Sequence, residues 1–483
     1  MKTISSFKDF AGSLLGFIRA NSQERAAELH SAVRRANSEL IPQNLGASPS
    51  ILPSATRQHL ETQFNEMALS LFALQFSEVP PYRKFCEARK VSPMTVKRWS
   101  EIPALPTSAF KDFEISSLPP EQRTQVFHSS GTTEQIPSRH FHNADSLAIY
   151  EASLLPCFQK HFLANWGDDA EKEISSLSAL TLTLSPEERE HSSAAPDFSG
   201  DSATDPIAPI LVQRNRILPL PGGEGRGEGQ RLFSSGKPEM IFLTPPPALA
   251  PNSSLVHMFE TVRREIGSRD SLFTGKLDEQ KAWTLDIDQT FFALRKSMYA
   301  NRPISILGTA FSFVHLLDHF AANNIRYRLA TGSRVLETGG YKGRSRSLPK
   351  AELHQLITKH LGIPASHVVC EYGMSELSSQ AYDNVTGDEW RVTGNLAPHS
   401  RHTSPVTRHF RFPPWARVQI ISPEKSVEAG EGETGLIRIF DLANVYSVLA
   451  IQTEDLGVRR GDGFELVGRS PLVEPRGCSL MAT

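Results

Sequence analysis

The sequence predicts an α/β fold with a helical N-terminal region and a small C-terminal β-region. Apolar residues recur at helical spacing from Met1 to about Lys97. From about Ile102, short apolar runs alternate with helical patterns, as in an α/β core. Toward the C-terminus, "ARVQIISPE", "TGLIRIFDL" and "GFELVGR" are short β-rich runs separated by Gly, Asp and Glu turns.

In chain order, Ile4, Phe7, Phe10, Leu14 and Phe17 fall on one face of an amphipathic helix. Lys8 and Asp9 interrupt the apolar run, so a signal peptide is the poorer reading. The helical pattern of "NEMALSLFALQF" is expected to stop at the two prolines of "VPPYRKFC". "ISILGTAFSFVHLLDHF" reads as strand, turn and helix, and "ELHQLITKHLGIPASHVVCEYGMSEL" as helix then strand. Residues from about 187 to 235 are rich in Gly, Pro, Ser and Asp, lack periodicity, and read as a disordered insertion. Within it, "GGEGRGEG" lacks the preceding strand and following helix of a nucleotide loop. The division expected is a helical region over 1–100, a core over 101–483 broken by that insertion, and a short flexible tail over 470–483.

The 483 residues, 39% hydrophobic and 22% charged, suffice for a sizeable core. With 51 basic against 53 acidic residues, nothing general favours a nucleic acid or an anionic surface as partner. No run reaches the ~20 apolar residues of a membrane span. Cys86, Cys157, Cys370 and Cys478 are scattered without metal-ligand or disulfide-framework spacing, which fits a reducing, cytoplasmic setting.

Five clusters carry the chemistry. "FHSSGTTEQIPSRHF" sets small hydroxyl residues around a glycine, so that N–H and O–H groups can converge on phosphate oxygens; an ordinary polar turn has the same composition. "LETGGYKG", "EYGMSEL", "QTEDLGVRRGDG" and "VGRSPLVEPRGCSL" follow. Singly these read as a strand-end turn, a strand entering a helix cap, a hairpin turn and a surface arginine. Jointly they supply what an adenine nucleotide needs for attack at phosphorus. Two glycines admit a flat base, an aromatic flanks it, one carboxylate suits Mg2+, another the ribose hydroxyls, and an arginine ribose or phosphate.

These motifs resemble the acyl-adenylate-forming ligases, with "SSGTT" similar to their phosphate loop, "EYGMSE" to their Tyr-Gly-x-Thr-Glu motif and "TEDLG" to their Thr-Gly-Asp motif. With "VPPYRKFC", "IPALPTSAFK", "PNSSLVHMF", "LETGGYKG" and "RGCSL", the chain resembles the acyl-protein synthetase branch, the ligase component of the bacterial bioluminescence fatty-acid reductase. The likeness runs from about Asn65 to the C-terminus, excluding the insertion. It implies an N-terminal-type adenylate-forming core and ATP-dependent activation of a fatty acid to acyl-adenylate. Transfer to an enzyme cysteine and onward passage to an acyl-reductase or other acceptor protein would follow. Carried over by position, Ser129, Ser130, Gly131, Thr132 and Thr133 would cradle phosphates. Gly339, Gly340 and Tyr372 would flank adenine, Glu376 would hold Mg2+, and Asp455 with Arg469 would bind ribose.

The chain departs from the superfamily pattern at several places. Glu134 and "IPSRH" stand where Gly and Pro-Lys usually follow the loop, leaving Arg139 as a displaced substitute; Ser375 and Glu454 replace the commoner Thr and Gly. The mobile C-terminal domain and its lysine are expected to be lacking, as in the acyl-protein synthetase branch, and Lys342 is one candidate for the missing cation, a solvated surface lysine being the alternative. Cys478, in the tail, is the candidate acyl acceptor. Two other readings stay open, a phenylacetate-type acyl-CoA ligase and a non-catalytic nucleotide- or acyl-binding protein.

Overall fold

The computed structural model describes residues 5–38, 54–129, 136–163, 166, 236–341, 345–385 and 408–470. Residues 165–236 form a unit of their own; apart from Trp166 and Gly236 they lie outside the described residues, and the 187–235 insertion with them.

The N-terminal helices are α1 (Phe7–Ser38), α2 (Ser54–Glu78) and α3 (Pro80–Glu87). Phe10, Leu14 and Phe17 are buried on α1, as their spacing predicts, while Ile4 lies outside the described residues. The two prolines end one helix and start the next. Val79 caps α3 and the prolines take its first positions, where a missing N–H leaves no intrahelical bond unmade. On α2, the fully buried Gln75 donates from Nε2 to the carbonyls of Asn444 (2.7 Å) and Val445 (3.2 Å) and accepts at Oε1 from Leu449 N (2.9 Å).

A short helix α4 (Ala109–Asp112) precedes α5 (Ala144–Phe162), which Asn143 caps by accepting from Ser146 N. The remaining helices are α6 (Ser254–Glu265), α7 (Ile287–Tyr299), α8 (Ala310–Ala322) and α9 (Lys350–Leu361). Ser253, Asp286 and Thr309 cap α6, α7 and α8, and Gly362, at φ +72°, ends α9 in the left-handed conformation that glycine adopts without strain.

The strands in chain order are β1 (Leu105–Pro106), β2 (Gln125–His128), β3 (Arg139–His142), β4 (Glu239–Phe242), β5 (Leu272–Phe273), β6 (Gly275–Leu277), β7 (Trp283–Leu285) and β8 (Ile304–Thr309). They continue with β9 (Arg334–Thr338), β10 (Val368–Tyr372), β11 (Ala381–Val385), β12 (Arg408–Arg411), β13 (Ala416–Ile421), β14 (Thr434–Asp441), β15 (Ala450–Arg460) and β16 (Gly463–Arg469). Twelve of them form one sheet, ordered β13-β14-β15-β16-β12-β11-β10-β9-β8-β4-β5, with β1 against β15. From β10 to β5 the pairing is parallel, and from β10 to β13 it is antiparallel. The C-terminal β-runs are thus the antiparallel wing of the main sheet.

Strand alternation divides the core. Met240, Phe242, Leu307 and Leu336 join one apolar cluster with α5 and α6, while Ile241, Leu243, Ile306 and Val335 join another with α7, α8 and α9. Because β8 runs straight into α8 at the Thr309 cap, the expected intervening turn is absent. Among the described residues, no helix is long and apolar enough to cross a membrane.

Candidate active site

Strands β2 and β3 form a separate two-stranded hairpin. Its connecting loop carries Ser130, Gly131, Thr132 and Thr133, which lie outside the described residues, but its stem is defined. Ser129 N donates to Ser138 O (3.3 Å), and Ser138 N donates back to Ser129 Oγ (2.9 Å). The phosphate-loop candidate is therefore closed at its base by two hydrogen bonds.

Ser138 then reaches the sheet. Its hydroxyl donates to Glu376 Oε1 at 2.5 Å, and Ser375 Oγ donates to Glu376 Oε2 at 2.9 Å. Asn444 Nδ2 holds the Glu376 carbonyl (2.9 Å), and His140 Nδ1 donates to the Ser375 carbonyl (2.8 Å), an acceptor that places the proton on that nitrogen. The loop following Glu376 is anchored by Asp441, which accepts from Ser378 N, Ser379 N, Ser379 Oγ and Ala443 N at 2.7–3.0 Å. Among the described residues, both Glu376 oxygens bond to hydroxyls that can rotate, so the carboxylate can turn its lone pairs to a hard cation.

Gly339 follows β9 at φ +66°, and among the described residues nothing lies within 4 Å of where a side chain would begin at Gly339 or Gly340. Tyr372 ends the neighbouring strand β10. Its ring is met edge-on by Phe410, Phe412 and Phe464, with centroids at 6.0, 6.3 and 5.3 Å. Its hydroxyl donates to Asp455 Oδ2 at 2.9 Å. Burial raises the Asp455 carboxyl above its ordinary range, against the pull of Tyr372 and Arg469. Asp455 and Arg469 are register partners on β15 and β16, with Nε 3.6 Å from Oδ1 and the arginine 81% exposed, free to turn to a ligand. "TEDLG" is therefore strand rather than hairpin turn, and "EYGMSE" leads from strand into a turn, not a helix.

The structure brings together Ser129, Glu376 and its hydroxyl partners, and separately Tyr372, Asp455 and Arg469. Four residue steps separate Tyr372 from Glu376, a span of at most ~14 Å. Arg139 pairs instead with Glu114 (3.6 Å), beside Arg123 (2.6 Å). Lys342 and Cys478 lie outside the described residues.

Several functional candidates escape sequence reasoning. Ser138, His140 and His142 are all buried, and their alternation in "SRHFH" is the signal of a strand whose polar side faces inward. Desolvation pushes His140 down to about 4. Glu371 accepts a short bond from Thr338 Oγ1, and burial, with Glu337 adding to it, pushes its carboxyl up to about 7.

Comparison with known proteins bears on the fold and on the family likeness. The solved structure of 2-hydroxyisobutyryl-CoA ligase with 2-HIB-AMP, in the postadenylation state, superposes with a TM-score of 0.51 at 10% identity over 89% of this chain and 73% of that one. The same ligase with 2-HIB-AMP and CoA in the thioesterification state gives 0.50 at 11% identity, again over 89% and 73%. The fold is that of the acyl-adenylate-forming ligases. Residues 270–483 match the family described as acyl-protein synthetase, LuxE, and over that stretch the resemblance read from the sequence is borne out. The chain is also 23% identical over 208 residues, 41% of its length, to the long-chain-fatty-acid–luciferin-component ligase of Aliivibrio fischeri. That match spans about half, 49%, of the relative.

Proposed function

We propose that this chain is an ATP-dependent acid–thiol ligase that activates a long-chain fatty acid and holds it as a protein thioester. The observation that carries the reading is the placement of two bonded pairs, Tyr372–Asp455 and Glu376–Ser138, at the two ends of the short segment that follows β10.

In the first step a carboxylate oxygen attacks the α-phosphorus of ATP, forming an O–P bond while pyrophosphate departs with the electrons of the broken P–O bond. Residues 129–133 would bind the phosphates, Gly339, Gly340 and Tyr372 the base, and Asp455 with Arg469 the ribose. Glu376 would hold the Mg2+ that offsets phosphate charge, and the hydroxyls of Ser138 and Ser375 orient that carboxylate. Charge accumulating on the phosphate calls for a cation, and Lys342 is the candidate. In the second step the Cys478 thiolate attacks the acyl carbon, a C–S bond forms, the C–O bond breaks and AMP leaves; the thiol proton passes to solvent.

A long-chain fatty acid as substrate follows the name of the luciferin-component relative, and a reductase or other acyl acceptor as partner follows the resemblance read from the sequence. Among the described residues, Cys86, Cys157 and Cys370 form no disulfide, and a reducing, cytoplasmic setting remains the proposal.

The test is to incubate the protein with labelled fatty acids of several lengths and Mg·ATP, without CoA. Released pyrophosphate and hydroxylamine-labile protein label are expected, and Cys478→Ser should keep the first and lose the second. Full labelling of that variant would exclude Cys478, and label transfer only to added CoA would favour the CoA-ligase reading. Absence of fatty-acid-dependent pyrophosphate exchange would favour a non-catalytic binding protein.

A further inference from the structure

Behind the proposed nucleotide site, on the α9 side of the sheet, three side chains of different chemistry converge. Cys370 on β10 and Glu337 on β9 are direct register partners, and His354 lies on α9. Cys370 Sγ is 3.0 Å from Glu337 Oε2 and 3.5 Å from His354 Nε2, and those two atoms are 3.6 Å apart. The residues are 1%, 4% and 6% exposed. We propose that Glu337, His354 and Cys370 form a structural binding site for a zinc-like divalent transition-metal ion.

The spacing is that of a metal's ligands. Bonds of ~2.0–2.3 Å in a tetrahedral zinc site set neighbouring ligand atoms roughly 3.3–3.7 Å apart. Two edges of the triangle lie within that range, and the third needs only a few tenths of an ångström, within the freedom of a Glu side chain. One sulfur, one nitrogen and one oxygen suit borderline-soft zinc, whereas calcium and magnesium prefer oxygen throughout. On binding, the S–H bond of Cys370 gives way to an S–metal bond and the proton leaves to solvent.

The strand around Cys370 is already braced. Asp383 Oδ1 accepts from Cys370 N at 2.6 Å, and Asp383 is paired with Arg408 at 3.0 Å. Lys350, at the start of α9, carries an ammonium that interacts with Cys370, Glu337 and Asp383 and lies 4.7 Å from the centre of the Phe410 ring. That ammonium offsets the Glu337 charge in the metal-free protein, and a divalent ion entering the site would compete with it. Glu337 and Cys370 each stand two residues before Gly339 and Tyr372. A bound ion would therefore tie β9, β10 and α9 together beneath the proposed base-binding residues.

The experiment uses the whole protein, stripped with a chelator and titrated with Co2+ and Zn2+. One tightly held ion per chain is expected, with a thiolate-to-cobalt charge-transfer band, the intense visible bands of tetrahedral cobalt, and a higher unfolding temperature with Zn2+. Cys370→Ser should lose the charge-transfer band, and Cys478→Ser should keep it. Lys350→Met should bind tighter by about tenfold, because a like charge is gone. If Cys370→Ser does not fold, His354→Gln and Lys350→Met carry the test. Less than one ion per wild-type chain, a cobalt spectrum without a thiolate band, a band that survives Cys370→Ser, or unchanged affinity in both His354→Gln and Lys350→Met overturns the proposal.

Discussion

The hydroxyl of Ser138 donates to Glu376 Oε1 at 2.5 Å across 238 residues of sequence. It joins the stem of the phosphate-loop candidate to the carboxylate assigned to Mg2+, so a change in either should be felt by the other. Ser138→Ala removes a hydrogen bond to a buried carboxylate, and a stability loss of about 1–3 kcal/mol is expected. In pyrophosphate exchange the variant should need more Mg2+ for half-maximal rate. An unchanged Mg2+ requirement would separate loop from metal.

Glu376→Gln and Asp455→Ala should divide adenylation into two parts. Glu376→Gln keeps the shape and the neighbouring hydroxyl bonds while removing the charge, so exchange should fall mainly through the metal. Asp455→Ala frees the Tyr372 hydroxyl and removes the ribose acceptor, so ATP binding should weaken at saturating Mg2+. Binding isotherms for ATP at several Mg2+ concentrations measure both, and wild-type behaviour in either variant removes that residue from the site.

His140 should make stability depend on pH in a defined direction. Its ordinary value is 6.5, and desolvation lowers it to about 4 in the folded chain. Between these values the unfolded state binds the proton and the native state does not, so stability falls as pH falls. From pH 6.5 to 5 the loss amounts to about 1.6 kcal/mol. Denaturant unfolding of His140→Gln, whose amide can still donate to the Ser375 carbonyl, should show a slope shallower by one proton in that window. An equally steep slope would place the titration elsewhere.

Asp441 receives bonds from three backbone N–H groups and a serine hydroxyl, all buried. Asp441→Ala leaves these donors without their acceptor, and a loss of about 3 kcal/mol or more is expected. Asp441→Asn keeps one acceptor oxygen and should lose less. Chemical denaturation of the two variants checks the order.

Much of this architecture is legible in the chain because it is local. The spacing of Phe10, Leu14 and Phe17 gives α1, and the β-rich runs give β13, β14 and β16. Gly339, Tyr372, Asp455 and Arg469 announce themselves by residue type within short motifs. What escapes is set by distant partners. Nothing near Arg139 in sequence signals that Glu114 engages it, nor that Ser138 will meet Glu376. The prolines after Glu78 are ambiguous because Pro both ends a helix and suits the first turn of another. "TEDLG" looks like a turn because Asp and Gly favour turns, yet pairing with β14 and β16 keeps it extended.

The Gln75 amide bonds, described with the fold, bear on how this protein can be cut. A fragment begun at residue 101 would strip away Phe64, Leu71 and Phe72, bare the apolar surface beneath them, and give the carbonyls of Asn444 and Val445 and the N–H of Leu449 back to water. Asn444 also holds the Glu376 carbonyl, so the damage would propagate to the candidate site. A cut that severs α2 from the sheet should abolish fatty-acid-dependent pyrophosphate exchange, however intact the residues named in the motifs.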